Sequence, residues 1–365
     1  MPVRALARVR TGAIEANCAL LCSKLSQGTA LCVVVKADGY GHGILTAARA
    51  AMRGGASWLA VATAQEAAAL RAGGIAAPTL VMGAMSGKEA DIALEADADV
   101  VVWERGSLDA IADRGPRVHV KLDTGMGRLG TKDVDEARRL VEAAARHERA
   151  TLAGVMTHLA TADELGDEHF PRQVERFRAF AEEVRSDHPD VIAHAANSAA
   201  TLRDPSSHFD MVRCGVAVYG LDPFQQDAGA QGLEPSLSLE TYVAAVKPFD
   251  PGESAGYGRR WIAREPTLVA TLPIGYGDGW RRGLTNDCDV LIGGQRHPLV
   301  GTVSMDNVTV DLGPGSDVKV GDQAVLIGDQ DGLCIPCEEV ARRLDTINYE
   351  VTCGLTARVP RLEQA

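Results

Sequence analysis

The sequence of residues 30–53 is ALCVVVKADGYGHGILTAARAAMR, and its pattern identifies the repeating unit of the fold. It begins with an apolar run rich in β-branched residues, passes through a turn with several glycines and ends in an alanine-rich helical segment. Gly54 and Gly55 then end the predicted helix. A strand, a turn and a helix in this order make one βα unit. The stretch therefore predicts parallel strands joined by helices.

The same unit recurs through the first two-thirds of the chain. Thr63 and Glu66 form a capping box that starts another of the helices, and Gly73-Gly74 ends it. Eight apolar runs alternate with helical stretches, which favours a (β/α)8 barrel over an open doubly wound sheet. The predicted strands cover residues 30–35, 58–62, 79–82, 99–103, 117–122, 151–157, 191–196 and 209–213.

The character of the sequence changes after Leu221. Residues 224–235 are polar and contain glycine and proline, as expected of a connection between domains. Short strand-like runs dominate beyond them. We therefore predict a (β/α)8 barrel domain over residues 1–234 and a smaller, mainly β domain over residues 235–365. The first ten residues alternate apolar residues with arginines and are expected to form a half-exposed strand that can pair with the β domain.

The composition is that of a globular protein of 365 residues, with 46% hydrophobic and 24% charged residues. A net charge of −12 argues against the basic face that nucleic-acid binding requires. No apolar run approaches the roughly 18 residues of a membrane span. The eight cysteines are scattered and no secretory signal is recognised, which favours a reducing compartment. We therefore expect a cytoplasmic protein that binds neither nucleic acid nor membrane.

Three motifs suggest other chemistry. The CxxC at residues 334–337 has no second pair, so no metal site is predicted. The GxGxxG at residues 125–130 follows a strand and precedes a helix, as a dinucleotide fingerprint does, yet the long Arg128 lies within it. Residues 83–89, GAMSGKE, resemble a phosphate-binding P-loop but lack its spacing and its final Ser or Thr. A structural role is favoured for each.

Chemically active side chains follow the predicted barrel strands. In a barrel of this kind, active residues lie at the carboxyl ends of the strands. A purely structural barrel would have apolar strand ends, so this set predicts an active site in the barrel mouth. The residues concerned are Lys36 and Tyr40 after the first strand, Lys121 and Arg128 after the fifth, His158 after the sixth, Asn197 and Ser198 after the seventh, and Arg213 and Gly215 at the eighth.

Two of these features together indicate a cofactor. A lysine at the inner end of an apolar strand is desolvated, which lowers the pKa of an amine and suits Lys36 to Schiff-base chemistry. A lysine that only caps strand carbonyls is the structural alternative. Ser198 opens a predicted helix and Gly215 follows a strand, so backbone N–H groups there can bind a phosphate. A lysine and a phosphate site in one barrel mouth indicate pyridoxal 5′-phosphate.

Nine motifs extend from one end of the chain to the other: VVVKADGYGHG (33–43), KLDTGMGRLG (121–130), THLATADE (157–164), HAANSAA (194–200), RCGVAVYG (213–220), GYGRRW (256–261), IGYGDGW (274–280), VSMD (303–306) and INYEVTCGLTARVPR (347–361). In these motifs the whole chain resembles the alanine racemase family, which pairs an N-terminal barrel with a C-terminal β domain. Two departures from the family pattern are small: Asp38-Gly39 replaces Asn-Ala, and Gly277 replaces Ala.

The resemblance implies a pyridoxal-phosphate-dependent isomerase that interconverts L-alanine and D-alanine and supplies D-alanine for cell-wall peptidoglycan. Lys36 would hold the cofactor and act as the base on one face of the substrate. Tyr257, from the other subunit of a homodimer, would be the base on the opposite face. Two bases are needed because one proton leaves from one face of the substrate α-carbon and a different proton is added to the opposite face.

The remaining roles follow from the same resemblance. Arg213 would face the pyridine nitrogen, and His158 would contact the cofactor site near Tyr257. Lys121 matches a lysine that many members carbamylate, and Tyr276 matches a tyrosine of the entrance channel. The residues implied to bind the cofactor are Lys36, Tyr40, His158, Ser198, Arg213, Gly215, Val216 and Tyr349, and those implied to bind the substrate are Arg128 and Met305.

Other readings of the same motifs remain open. A serine-preferring or broad-specificity racemase would use the same two bases. A basic-amino-acid decarboxylase would release carbon dioxide, and it is disfavoured because GYGRRW (256–261) supplies a second base. A non-catalytic carrier of pyridoxal phosphate needs only the barrel, so the β domain with Tyr257 and Met305 argues against it.

Overall fold

The computed structural model describes residues 4–365. The chain forms two compact units. The barrel unit comprises Ile14–Phe224, and the β unit combines the residues up to Ala13 with Gln225–Ala365. The first strand, β1 (Ala5–Arg10), belongs to the β unit. Within residues 4–365, every helix falls short of the length and apolar character that crossing a membrane requires.

Eight parallel strands form the barrel unit, as the sequence predicts. Their spatial order follows their chain order, and the first pairs with the last. Backbone hydrogen bonds from Asp210 to Ala193 (3.0 Å) and from Arg213 to Ala196 (2.9 Å) join the seventh and eighth strands, so the sheet closes. The strands are β2 (Ala30–Val34), β3 (Trp58–Val61), β4 (Thr79–Val81), β5 (Asp99–Val102), β6 (Arg117–Lys121), β7 (Thr151–Met156), β8 (Ile192–His194) and β9 (Met211–Cys214).

Capping boxes start two of the helices in the barrel unit. The capping box of Thr63 and Glu66 is confirmed. Ser86 and Glu89 form a second one, so residues 83–89 start a helix and are not a phosphate-binding loop. The helices are α1 (Thr11–Lys24), α2 (Lys36–Tyr40), α3 (Ile44–Arg53), α4 (Ala64–Ala72), α5 (Gly87–Glu95), α6 (Arg105–Asp109), α7 (Val134–Arg146), α8 (His169–Asp187) and α9 (Ser198–Arg203).

The β unit contains one large sheet and one small one. Besides β1, the β unit contains the elements β10 (Leu237–Tyr242), β11 (Ala245–Phe249), β12 (Ser254–Ala255), β13 (Trp261–Ile262), β14 (Thr267–Leu272), β15 (Asp289–Ile292), β16 (Gln295–Val300), β17 (Val308–Gly313), β18 (Gln323–Gln330), β19 (Leu333–Ile335), β20 (Arg361–Gln364), α10 (Cys337–Arg343) and α11 (Asn348–Cys353). The large sheet has the order β11-β14-β17-β16-β15-β18-β10-β1-β20, with β19 beside β18, and the small sheet pairs β12 with β13.

The N-terminal strand is held on both sides. β1 runs antiparallel to β10, with Ala7 opposite Leu239, and parallel to β20, with Ala7 opposite Arg361. Ala5, Ala7 and Val9 are buried whereas Leu6, Arg8 and Arg10 are not, because alternate residues of a strand point to opposite faces. The alternation read from the sequence thus places one face of β1 in the core of the β unit.

Candidate active site

The barrel unit gathers the predicted site residues at the carboxyl ends of its strands. Lys36 lies two residues beyond β2, Lys121 is the last residue of β6, and His158 lies two residues beyond β7. Ser198 follows β8, and Arg213 lies within the last strand, β9. Since the strands are parallel, these ends face one mouth of the barrel.

Lys36 is followed by a left-handed turn, which fixes the direction of the chain after the strand. Ala37, Asp38 and Tyr40 have φ of 53°, 54° and 54°, values that residues with a side chain rarely adopt. The Glu66 carboxylate accepts the Ala37 N–H at 2.6 Å. Gly39 has φ of 63°, and a Cβ atom there would lie 2.9 Å from the Cβ of Ala47. Glycine in place of the family's usual alanine therefore relieves both strain and crowding.

Tyr40, Ser198 and Gly215 form one cluster of hydroxyl and amide groups. The Ser198 hydroxyl oxygen accepts the N–H of Gly215 at 3.0 Å and that of Ala217 at 3.4 Å. The Tyr40 ring stacks on the ring of Tyr219, with the centroids 5.0 Å apart. Val216 is buried and begins the short 3-10 helix Val216–Tyr219 that follows the last strand. Asn197 caps the helix that Ser198 begins, since its side chain accepts the Ala200 N–H.

Arg213 is almost completely buried, with 3% of its surface exposed. Its guanidinium donates to Nδ1 of His194 at 2.9 Å and to Nδ1 of His158 at 3.2 Å. It also donates to the carbonyl oxygens of Thr157 (2.8 Å) and Ala195 (3.0 Å). Burial lowers the pKa of Arg213 to about 10, so the side chain stays protonated at neutral pH.

The two histidines bound to Arg213 are neutral. Burial is the main reason that the pKa of His158 and that of His194 lie well below the ordinary histidine value, and the charge of Arg213 lowers both further. A neutral imidazole can accept a hydrogen bond through its unprotonated nitrogen. Both Nδ1 atoms therefore act as acceptors for a permanent cation.

Lys121 lies in a positively charged environment. Burial lowers its pKa to about 8, and Arg213 and Arg128 add to this effect, whereas Asp123 opposes it. Lys36 contributes in the same direction as the two arginines. The mouth of the barrel thus collects four basic side chains, a charge pattern that suits an anionic ligand.

Asp123 organises the loop that carries Arg128. Its carboxylate accepts the N–H groups of Gly125 (2.9 Å), Met126 (2.7 Å) and Gly127 (2.9 Å). A carboxylate thus occupies the ring of amide donors that a pyrophosphate would need, which argues against the dinucleotide interpretation of residues 125–130. Arg128 itself is exposed.

The β unit carries the other predicted site residues. Tyr257 lies in the short turn between β12 and β13 with 74% of its surface exposed, and its carbonyl accepts the Thr302 hydroxyl at 2.6 Å. Tyr276 and Met305 lie on adjacent loops, joined by the hydrogen bonds Tyr276 N–H to Ser304 carbonyl (3.0 Å) and Gly277 N–H to Met305 carbonyl (2.9 Å). Tyr349 lies in α11.

Asp278 fixes these loops. It is fully buried, and its carboxylate accepts two hydrogen bonds from Arg4, at 2.9 and 3.1 Å, and one from the Gly275 N–H at 2.9 Å. Arg358 approaches the same carboxylate at 3.2 Å and also pairs with Asp306 at 2.6 Å. Arg4 further donates to the carbonyl of Asp306 at 2.8 Å, next to Met305.

The sequence reasoning did not single out Asp123, Asp278 or His194. All three stand in motifs that it did quote, KLDTGMGRLG, IGYGDGW and HAANSAA. An acidic residue among glycines is a usable signal, because a carboxylate can accept several N–H groups of a tight turn. No such signal marks His194.

No cluster of three or more His, Cys, Asp or Glu side chains suited to a metal ion occurs among residues 4–365. Within the CxxC of residues 334–337, Cys334 is exposed and Cys337 is buried. Burial raises the pKa of the Cys337 thiol well above its ordinary value. Cys337 is the first residue of α10.

The sequence matches the family model for the N-terminal domain of alanine racemase over residues 9–223 and that for the C-terminal domain over residues 236–363. The chain belongs to the alanine racemase family. The resemblance stated from the motifs is thereby confirmed, and the chain is an isomerase. Alanine racemases depend on pyridoxal phosphate.

Similar alanine racemases span almost the whole chain. That of Symbiobacterium thermophilum is 42% identical over 362 residues, covering 97% of this chain and 96% of the relative. That of Geobacillus stearothermophilus is 42% identical over 369 residues, covering 98% and 92%. The crystal structure of alanine racemase from D-cycloserine producing Streptomyces lavendulae has a TM-score of 0.95 at 34% identity and covers 100% of this chain and 98% of that one. The alanine racemase of Bacillus anthracis with bound L-Ala-P has a TM-score of 0.91 at 33% identity and covers 100% and 96%.

Proposed function

We propose that this chain interconverts L-alanine and D-alanine with pyridoxal 5′-phosphate bound in the mouth of the barrel unit. The relatives' activity supports alanine as the substrate. The observation that carries the proposal is the buried Arg213, held by two neutral histidines at the strand ends. Burying a cation on neutral acceptors is costly for stability, and a ligand-binding role accounts for that cost.

The barrel unit fits the phosphate end of the cofactor. Hydroxyl and backbone N–H groups are typical phosphate ligands, and they converge at Ser198, Gly215 and Tyr40. The basic side chains around Lys121 complement the charge of a phosphate. The proposed phosphate-binding residues are Tyr40, Ser198, Gly215 and Val216 of the barrel unit and Tyr349 of the β unit.

Arg213 is suited to donate a hydrogen bond to the pyridine nitrogen of the cofactor. When bound, pyridoxal phosphate supplies an electron-withdrawing ring that makes the α-C–H bond of an amino acid more acidic. Arginine is only a donor, so Arg213 can hydrogen-bond an unprotonated ring nitrogen without transferring its proton. This weakens electron withdrawal by the ring, which favours return of the proton to the α-carbon over side reactions. His158 accepts a hydrogen bond from Arg213, and we propose that it also lines the cofactor site.

Two bases move the protons in the proposed reaction. Lys36 binds the cofactor and accepts or returns a proton at its Nζ atom on one face of the α-carbon. Tyr257 does so at its hydroxyl oxygen on the opposite face. Because one base serves each face, the product has inverted configuration.

The remaining residues orient the substrate. We propose that Arg128 binds the substrate carboxylate and that the backbone N–H of Met305 does the same. Lys121, which is partly neutral near pH 8, is the proposed carbamylated lysine that holds Arg128 in position. Tyr276 is the proposed tyrosine of the entrance channel.

The proposed enzyme is a cytoplasmic homodimer in which Tyr257 serves the active site of the other subunit. The strong exposure of Tyr257 on a short turn supports this arrangement, because an exposed phenol is available to a partner. Its D-alanine would supply peptidoglycan synthesis.

The decisive experiment incubates the purified holoenzyme with L-alanine in deuterated water. Loss of optical rotation with deuterium at the α-carbon is expected. Release of carbon dioxide, or recovery of unlabelled L-alanine, would overturn the proposal. A parallel incubation with L-serine distinguishes an alanine racemase from a serine-preferring one.

A mixing experiment tests the shared site. Lys36→Ala and Tyr257→Phe are each expected to be inactive, whereas Lys88→Ala and Tyr242→Phe, at positions outside the site, are expected to be active. Random pairing of the two inactive variants should restore about one quarter of the wild-type activity, since half of the dimers are mixed and each carries one intact site. Verified mixed dimers without activity would exclude sharing.

A further inference from the structure

A chain of buried side chains leads from Arg213 to the opposite side of the barrel interior. Nδ1 of His194 accepts from Arg213 at 2.9 Å, and Nε2 of His194 lies 2.8 Å from Nδ1 of His119. Nε2 of His119 lies 3.1 Å from a carboxylate oxygen of Asp99. The four side chains come from β9, β8, β6 and β5, and each exposes 3% of its surface or less. The proposed reaction gives no role to His194, His119 or Asp99.

The protons shared by these four side chains can be arranged in only one way. Arginine only donates, so Nδ1 of His194 must be unprotonated and its proton lies on Nε2. That proton is donated to Nδ1 of His119, whose own proton therefore lies on Nε2. The Nε2–H of His119 then donates to Asp99. Any other assignment makes two N–H groups, or two lone pairs, face each other in the dry interior.

Asp99, the side chain of this series that is farthest from Arg213, is also held in place. Arg117 donates to the other carboxylate oxygen of Asp99 at 2.7 Å and to Asp97 at 2.8 Å. The Asp99 carboxylate is thus held in place and presents one oxygen to His119. Because a carboxylate accepts and does not donate, it determines the tautomer of His119, and His119 determines that of His194.

We propose that His194, His119 and Asp99 are positioning residues for the reaction, which hold the Arg213 guanidinium in one orientation by fixing the tautomer of His194. The proposal rests on the function proposed above, since it assumes that Arg213 faces the cofactor ring. If His194 adopted the other tautomer, its Nδ1–H would oppose the N–H of Arg213 and displace the guanidinium. The ring nitrogen would then lose its defined partner.

The first test needs no activity. In the holoenzyme labelled with ¹⁵N-histidine, the rings of His194 and His119 are both expected to be protonated on Nε2 and to accept a hydrogen bond at Nδ1. Signals lost in His119→Asn and His194→Asn assign the two rings. An Nδ1-protonated or doubly protonated ring at either position would overturn the proposal.

The second test compares two variants of His119. His119→Leu removes the acceptor for His194, whereas the amide oxygen of His119→Asn can replace it. We expect His119→Leu to lower kcat at least about tenfold, to change the absorbance spectrum of the bound cofactor and to leave KM for alanine nearly unchanged. His119→Asn should recover most of kcat and the wild-type spectrum.

The control is His297→Leu, which removes a buried histidine of β16 in the β unit. Equal kcat and equal spectra for His119→Leu and His297→Leu would overturn the proposal. If His119→Leu does not fold, the proposal is tested by the histidine tautomers of the unsubstituted protein and by the cofactor spectrum of His119→Asn, which should match that of the wild type. Failure of the proposed function is distinct, because the unsubstituted enzyme would then not exchange the α-proton at all.

Discussion

The hydroxyl oxygen of Tyr40 lies so close to Gly215 that a Cβ atom on this glycine would come within 2.3 Å of it. Tyr40 cannot move aside freely, because its ring stacks on Tyr219, whose hydroxyl donates to the Val34 carbonyl at 3.0 Å. Because residue 215 has no side chain, the Tyr40 hydroxyl can occupy its position in the proposed phosphate site.

Gly215→Ala should weaken cofactor binding, because the methyl group displaces the Tyr40 hydroxyl. We expect the dissociation constant of pyridoxal phosphate to rise about tenfold, which corresponds to about 1.4 kcal/mol. Fluorescence titration of the cofactor-free protein measures it. Gly106→Ala is the control, since nothing lies within 4 Å of a Cβ atom there. Unchanged affinity in Gly215→Ala would separate these residues from the phosphate.

Asp278→Asn should destabilise the β unit and disturb the loop of Met305. The substitution replaces a buried acceptor of charged hydrogen bonds from Arg4, so we expect a loss of about 2 kcal/mol in the free energy of unfolding. Because the loop positions a proposed substrate ligand, KM for alanine should rise more than kcat falls. Denaturant unfolding and steady-state kinetics measure the two effects.

Asp306→Asn is the matched control for Asp278→Asn. The Asp306 side chain is 53% exposed, and an exposed ion pair contributes less than about 1 kcal/mol. A loss in Asp278→Asn no larger than that of Asp306→Asn would show that the buried carboxylate does not hold the two loops.

The stability difference between the wild type and Asp123→Asn should depend on pH. Burial alone would raise the pKa of Asp123, but the N–H groups of Gly125, Gly127 and Met126 outweigh it, so the pKa lies below 3.8. A lowered pKa means that the carboxylate stabilises the fold above the unfolded-state value, and this stabilisation is lost as the pH falls through the folded-state value.

Unfolding curves of both proteins between about pH 6 and pH 3 measure this dependence. The advantage of the wild type should be constant near pH 6 and shrink below pH 4. Asp163→Asn, at an exposed position, is expected to show no comparable difference. A constant difference between wild type and Asp123→Asn over the whole range would contradict the assignment.

Lys121 should form a carbamate with carbon dioxide near neutral pH. Its pKa of about 8, lowered first by burial and then by Arg213 and Arg128, leaves a substantial neutral fraction at pH 8, and only the neutral amine reacts. With ¹³C-labelled bicarbonate, a carbamate signal is expected in the wild type and in Lys132→Met but not in Lys121→Met. A signal of equal strength in all three proteins would exclude Lys121 as the site.

The barrel could be predicted because its signals are local. Each strand is a short apolar run, and several helix starts carry their own capping residue, as Thr63 does. The carboxyl-end rule then brings Lys36, Lys121 and Arg213 to one mouth without knowledge of any distance. The second capping box, at Ser86, shows the same local pattern of Ser followed three residues later by Glu.

The interior contacts could not be predicted, because they join residues far apart in the chain. Asp278 is 274 positions from Arg4, and His119 is 75 positions from His194. No local pattern records which buried polar groups face each other. The left-handed conformation of Ala37 and Asp38 was equally hidden, since both residue types usually adopt other conformations.

The alternation of strands and helices, the side chains at the strand ends and the family can all be inferred from residue type and spacing. The charge and the orientation of these side chains depend on the folded interior. Burial makes His194 and His158 neutral, and the fixed donors and acceptors around Arg213 leave one arrangement of protons. Desolvation and hydrogen-bond direction are properties of a packed interior, and they arise only when distant strands meet.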